Sequence, residues 1–552
     1  MEGFWRRKTL KILAVLTCVY TLFMFLMQMQ LHSQQGNVDF LTEDQDHVNN
    51  FISPKPDTCY QGPTVSFDSR QTADFPLQAS NSGTTEICSI PQNTADVEME
   101  ALWHTLDVSY PLALSVSGWL DVIRVHMWTT KPLKVIIVPH SHQDPGWLYT
   151  FEEYFASYAN RTLSLITDQL TRNSAWRFVW SEVCWLERWW ENASQKQKND
   201  MKRLITNGQF EILSGGWVMP DEAVVHYSAM LNQLIDGHQW LLTNIGTVPN
   251  ISWSVDPFGH SPTMAYLQRR SGIKAMVIQR IHFGIKRFLA KNQMLEFQWT
   301  QMWDRDSSTG IMTHVLPFLS YAISYSCGPD SHVCCKFDFS HKKCYQGGKR
   351  IPSLEIDDSN VKELAWLLWE QFQKKAELFR ENVLLVPHGD DFRYSNLKEW
   401  EQQFGNLQKL IAYINSNPEM NTEVRFGTLS DFFEELGKSQ TSPPPSFMGD
   451  FFPYSDRRDQ YWTGFYTTRP LLKYAARRIQ SLLRSVEILY AVSLAKTRKA
   501  SEQYKTLLKL QPDLSSGRQE LALFQHHDAI TGTSRLYVTR NYKNRLMIGT
   551  PL

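Results

Sequence analysis

From residue 133 onward, short apolar runs alternate with stretches whose apolar residues recur every three or four positions. The run Lys134-Val-Ile-Ile-Val138 is nearly unbroken and β-branched, so it reads as a strand covered on both faces. Runs at 176–180, 210–213, 251–255, 274–278 and 383–386 share that texture, and 195–207 has helical spacing. Strands alternating with helices predict an α/β domain over 131–436, built on a mostly parallel sheet that is open or closed into a barrel.

The pattern changes towards both ends. At 437–446, Gly-Lys-Ser-Gln-Thr-Ser-Pro-Pro-Pro-Ser breaks the periodicity, and 437–450 is read as a linker. Beyond it, Ile479, Leu482, Leu483, Val486, Leu489 and Tyr490 follow amphipathic helical spacing, and a second helix is predicted over 517–527. Residues 451–552 therefore read as an incomplete helical bundle. At the N-terminus, 12–31 is uncharged and mostly apolar. Its twenty residues, at about 1.5 Å each, match a hydrocarbon core about 30 Å thick. Arg6, Arg7, Lys8 and Lys11 precede it, which predicts a cytosolic tail 1–11, a transmembrane signal anchor 12–31 and a lumenal remainder. A cleaved signal peptide is the rival reading; the long apolar run and the missing small-x-small site weigh against it. Residues 32–130, rich in Gln, Asn, Ser, Thr and Asp, read as a stem.

Composition narrows the class. The 552 residues suffice for about three folded units, and 42% hydrophobic with 20% charged residues excludes a disordered chain. Lys+Arg and Asp+Glu are both 56, so no basic excess marks a nucleic-acid partner. Sequons at Asn160, Asn192 and Asn250 fit a secretory compartment. There, Cys327, Cys334, Cys335 and Cys344 predict two local disulfides, with the pairing open.

The chemistry gathers after the strands, where parallel α/β folds bind ligands. The first strand runs into Val138-Pro-His-Ser-His142-Gln-Asp144-Pro-Gly-Trp147. His142 and Asp144 are suitable zinc ligands, although a lone His-x-Asp is more often an ordinary polar loop. A second apolar run ends in Asp256-Pro-Phe-Gly-His260, where Asp256 is either functional or a helix cap. A third ends in His388-Gly-Asp390-Asp391, whose adjacent carboxylates suit acid/base work or a solvated turn. The fourth block is Phe524-Gln-His526-His527-Asp528. Taken together, these residues supply what a metal-assisted glycosidase needs: one carboxylate to attack and one to protonate the leaving oxygen.

Through these blocks, with Gly215-Gly-Trp-Val-Met-Pro-Asp-Glu-Ala223, Asp256-Pro-Phe-Gly-His-Ser-Pro-Thr-Met264 and Gly449-Asp-Phe-Phe452, the chain resembles the class II α-mannosidases, glycoside hydrolase family 38. The likeness runs from about 133 to 542, and the tail, anchor and stem resemble its Golgi-resident members. The resemblance implies a retaining, zinc-dependent α-mannosidase acting on α-1,3- and α-1,6-linked mannose of N-glycans on glycoproteins, at the Golgi membrane. It implies one Zn2+ held by His142, Asp144, Asp256 and His527. Asp256 would also be the nucleophile and Asp391 the general acid/base. Trp147, Phe258, Arg280, Tyr321, Asp390, Trp462 and Asp528 match substrate-pocket positions. Besides glycan and membrane, a second copy of the chain is a candidate partner. Gln143 stands where the family has Asn, Ala322 where it has an acidic residue, and His388 where close relatives have an apolar residue. An imidazole at 388 is expected to shift the pKa of the acid/base. The family continues into β-sandwich domains, so the alternative reading is a truncated, catalytically impaired glycan-binding fragment. A glycan deacetylase is a third class, disfavoured by Asp256 and Asp391.

Overall fold

A computed structural model describes residues 95–106, 108, 119, 122–123, 131–304, 309–340, 345–346, 349–350 and 353–548. The tail, the anchor, the stem up to 94, and Cys18, Cys59, Cys88 and Cys344 lie outside the described residues. Among the described residues, no helix is long and apolar enough to cross a membrane.

Strands run in chain order as β1 (Val97–Glu98), β2 (Leu133–Pro139), β3 (Phe178–Trp180), β4 (Phe210–Ile212), β5 (Ile251–Ser254), β6 (Ala275–Ile278), β7 (Glu296–Thr300) and β8 (Ile311–Val315). Then come β9 (Tyr345–Gln346), β10 (Lys349–Arg350), β11 (Val383–His388), β12 (Thr422–Phe426) and β13 (Ser446–Met448). The sheets order as β1-β13-β7-β8-β6-β5, β11-β2-β12, β3-β4 and a β9–β10 hairpin. Apart from that hairpin, every pairing is parallel except β7–β8. A bridge from His140 to Val179 leads from β2 to β3, and the Ser214 N–H donates to the Ile251 carbonyl, joining β4 to β5. The fold is thus mixed α/β with parallel sheets.

Alternation along the strands explains why nearly all their apolar residues are buried. Val135 and Ile137 of β2 join one core cluster, while Ile136 and Val138 join a second with Val179, Leu213, Trp253, Val277 and Leu385. Leu384 and Val386 of β11 divide from Val383 and Leu385 in the same way. Period two separates the faces, and cover on both sides makes the run continuous.

Several segments depart from the sequence reading. The stretch 437–450 is no free linker: a helix extends to Ser439, and Phe447 and Met448 pair with Trp299 and Thr300 of β7. Part of the expected stem is folded, since Val97 and Glu98 pair with that same segment and Val97 and Leu102 are buried. The two-residue strands β1, β9 and β10 and the three-residue β13 carry too little periodicity to be read. β7, β8 and β12 were also not anticipated, because they mix Phe297 and Trp299, or Val424 and Phe426, with polar neighbours. The predicted C-terminal helices span Pro470–Lys496 and Gln511–Phe524, the latter ending before His526. Cys327 and Cys334 form a disulfide, and Cys335 is also disulfide-bonded.

Candidate active site

Four of the parallel strands deliver site side chains beyond their carboxyl ends. His142 and Asp144 follow β2, Asp256 follows β5, Arg280 follows β6, and Asp390 and Asp391 follow β11. The β2 and β11 extensions stay in register: the His142 N–H donates to the Asp390 carbonyl, and the Phe392 N–H to the His142 carbonyl. His527 arrives from the other end of the chain, in the turn after helix Gln511–Phe524. The Asp221 N–H donates to the Gln525 carbonyl and ties that turn to the loop after β4.

His142, Asp144, Asp256 and His527 converge, with one potential ligand atom from each lying within 4.8 Å of the others, and all four residues are buried. His142 Nε2 lies 2.8 Å from Asp144 Oδ1 and 3.7 Å from Asp256 Oδ2. His527 Nε2 lies 3.0 Å from Asp256 Oδ2 and 3.3 Å from Asp144 Oδ1, with no hydrogen-bond geometry to either. His527 Nδ1–H donates to the Met219 carbonyl at 2.8 Å, which leaves the Nε2 lone pair facing the carboxylates. That tautomer is the one a metal-ligating imidazole adopts. Two imidazoles and two carboxylates form a donor set of charge −2, suited to a divalent cation. Electrostatics agree. Burial disfavours the His142 cation, yet the Asp144 charge and contact, with Asp256, push its pKa up to about 10. His527 is likewise raised against burial by Asp144 and Asp256. The carboxylates therefore pull positive charge to the point where the ligand atoms meet.

Asp256 divides its oxygens. Oδ2 faces the imidazoles, while Oδ1 accepts from Arg280 Nε at 2.9 Å and also from Arg280 Nη2. Burial alone would raise the Asp256 carboxyl, but Arg280 first, then His527 and His142, hold it well below the usual range. Arg280 is boxed by Trp462, Tyr454 and Phe258, with its guanidinium carbon 5.3, 5.7 and 5.8 Å from the three ring centres. Such a cage favours the cation by its ring quadrupoles and shields it from water. Phe258 also lies 6.1 Å from the His527 ring.

Asp391 is partly exposed. Its Oδ1 accepts from the Tyr321 hydroxyl at 2.8 Å, and the Tyr321 ring centre is 5.0 Å from that of His142. Asp390 Oδ1 accepts from the Asp391 N–H. Asp528 Oδ1 accepts from the Thr533 hydroxyl, and Oδ2 lies 4.0 Å from His527 Nε2. Trp147 is half-buried on the His142 loop, packed against the main core, with its carbonyl accepting from the Arg535 N–H.

The positions where the chain differs from the family pattern are buried. The His388 imidazole turns towards Gln403, 3.4 Å away, and burial followed by the Arg393 charge lowers its pKa to about 4. Gln143 is buried, donating from its side chain to Ser141 and accepting Trp185 Nε1–H at its backbone carbonyl. Sequence reasoning passed over Tyr454, whose hydroxyl is 3.3 Å from Arg280 Nη1, and Glu182, whose carboxyl burial pushes up to about 7. Tyr454 sits two residues beyond the quoted Gly449–Phe452 block, which was the available signal; Glu182 had none.

Residues 132–457 match the family described as "Glycosyl hydrolases family 38 N-terminal domain", and 460–550 match "Alpha mannosidase middle domain". The chain is 47% identical over 432 residues to "Alpha-mannosidase 2x" of Mus musculus, covering 76% of this chain and 37% of the relative. It is 46% identical over 488 residues to "Alpha-mannosidase 2" of Homo sapiens, covering 86% and 42%. The chain thus spans about two fifths of the length of these relatives. A crystal structure of an alpha-mannosidase from Enterococcus faecalis V583 shares the fold, with TM-score 0.55 and 16% identity, over 76% of this chain and 41% of that one.

Proposed function

Because the chain belongs to glycosyl hydrolase family 38, we propose that it is a zinc-dependent retaining α-mannosidase, removing terminal α-1,3- and α-1,6-linked mannose from N-glycans of glycoproteins. We place it in the Golgi lumen with 12–31 as its anchor, a reading supported by the apolar run and by bonded cysteines. One observation carries the catalytic reading: Asp256 presents one oxygen to the metal-type cluster and the other to Arg280.

In this reading His142, Asp144, Asp256 and His527 hold the zinc, which when bound supplies a Lewis acid for sugar hydroxyls. Asp256 attacks the anomeric carbon and forms a glycosyl ester as the glycosidic bond breaks. Arg280 keeps it ionised, so it is ready to attack without first losing a proton. Asp391 gives its proton to the leaving oxygen, then takes one from the water that hydrolyses the ester. Tyr321 fixes the orientation of Asp391 through Oδ1. Trp147, Phe258 and Trp462 offer apolar faces to the sugar, and Asp390 and Asp528 offer acceptors for its hydroxyls.

The test is Asp256→Asn in the full chain with an aryl α-mannoside and saturating zinc. Loss of a nucleophile should lower kcat/KM by about 10³-fold or more. Retention of a tenth of the activity would exclude Asp256 as nucleophile.

A further inference from the structure

The run Met219-Pro-Asp-Glu222 contributes no ligand, yet it touches both halves of the cluster. Glu222 is buried, its side chain fully covered. Its Oε1 accepts from the Ser254 hydroxyl at 2.9 Å and from His260 Nδ1 at 3.1 Å, and its Oε2 from the Ser261 N–H at 2.8 Å. Ser254 lies two residues before Asp256, and His260 and Ser261 lie just beyond it. One carboxylate therefore clamps both ends of the turn that carries Asp256 and Phe258. Three residues earlier, the Met219 carbonyl takes the His527 Nδ1–H, and a bridge pairs Pro220 with His526. The Asp221 N–H reaches the Gln525 carbonyl, and its Oδ2 accepts from Ala223 and Val224 N–H, closing the run into a tight turn.

The geometry points to a bracket: we propose that Glu222, acting with the Met219 carbonyl, is a positioning residue that sets Asp256 Oδ2 against His527 Nε2. It rests on the metal reading above. The physical argument is one of linkage between distant parts of the chain. Asp256 and His527 are 271 positions apart in the sequence, and the 3.0 Å between their facing atoms is spanned through this short run. Arg280 restrains only the other oxygen of Asp256. Without the clamp, the Asp256 turn keeps its strand but loses its tie to the His527 segment. Partners of this kind alter metal affinity by about 10–100-fold when removed.

The test uses the full chain stripped of metal and titrated with Co2+ alone, read by its visible d–d absorption, for wild type, Glu222→Ala and Glu222→Gln. The bracket predicts a Kd for Glu222→Ala weaker by about 10-fold or more, with a shifted band. Glu222→Gln keeps the shape and can still accept from the Ser261 N–H, so it should recover part of the affinity while unfolding, metal-free, at the wild-type temperature. If Glu222→Ala does not fold, Glu222→Gln decides: an unchanged Kd and band overturn the bracket, and a weakened Kd with a shifted band supports it. Wild-type affinity and band in both variants overturn the bracket alone. A wild-type chain that takes up no Co2+ overturns the metal reading, and the bracket with it.

Discussion

Two regions of this molecule invert the usual placement of side chains in opposite directions. Beyond the strand ends, His142, Asp144, Asp256 and His527 are buried although all four are ionisable. Along helix Pro470–Lys496, by contrast, Leu471 is 80% exposed and Leu489 58% exposed. Uncompensated burial of a charge costs several kcal/mol even after relaxation. Leaving a leucine in water forgoes only about 1.5–3 kcal/mol. The first arrangement persists only because each charge meets an opposite one, so it demands an account. The second is tolerable without any partner, and a helical period alone does not show what, if anything, covers its apolar face.

Removing the metal should break this contrast most forcibly. A chelator is expected to abolish mannoside hydrolysis, and zinc to restore it. With free zinc near 1,000 times Kd, its removal should cost about 4 kcal/mol of stability, read as a fall in Tm. Indifference of both turnover and Tm would leave the buried charges without a metal role.

Asp391→Asn comes next. It should slow natural glycans by about 10²–10⁴-fold and an activated aryl mannoside much less, because a good leaving group needs little protonation. Equal losses on both substrates would remove Asp391 from the acid role.

The neutral buried imidazole of His388 offers a smaller effect. Its pKa is lowered from 6.5 to about 4, mainly by burial, so the unfolded chain binds the proton first as pH falls. The stability it contributes is present above pH 6.5 and is lost between 6.5 and about 4, amounting to about 3 kcal/mol. Denaturant melts of His388→Leu should show a correspondingly flatter acid limb; an identical limb would mean that His388 is solvated in the fold.

The smallest effect belongs to the helix. Leu489→Gln should change unfolding stability by no more than about 0.5 kcal/mol, as for most surface positions. A loss above about 2 kcal/mol would show that this face is covered in the native protein, and the contrast would narrow.

Much of the architecture was legible before folding, for a specific reason. β2, β5, β6 and β11 are near-continuous apolar runs, because parallel strands covered on both faces need no polar alternation. β7 and β8 escaped notice because polar residues interrupt them, and β13 because three residues beside a proline run carry no period. In helix Pro470–Lys496 the apolar stripe was legible, yet only Ala476 and Ile479 are buried. Periodicity marks a face and says nothing about its cover.

The amino-acid sequence by itself marked β2, β5, β6 and β11 and the two C-terminal helices, and it placed ligand groups of the right chemistry after strands (His142 and Asp144, Asp256, Asp391) and after a helix (His527). These are local matters of steric preference, burial pattern and residue type. Only the tertiary structure decided that His527 meets Asp256, that Asp256 turns one oxygen to Arg280 and the other to the imidazoles, and that His388 faces Gln403. Those outcomes depend on distances between residues far apart along the chain. The packing of the strands and of the turn after Phe524 sets such distances, and short-range preference does not encode them.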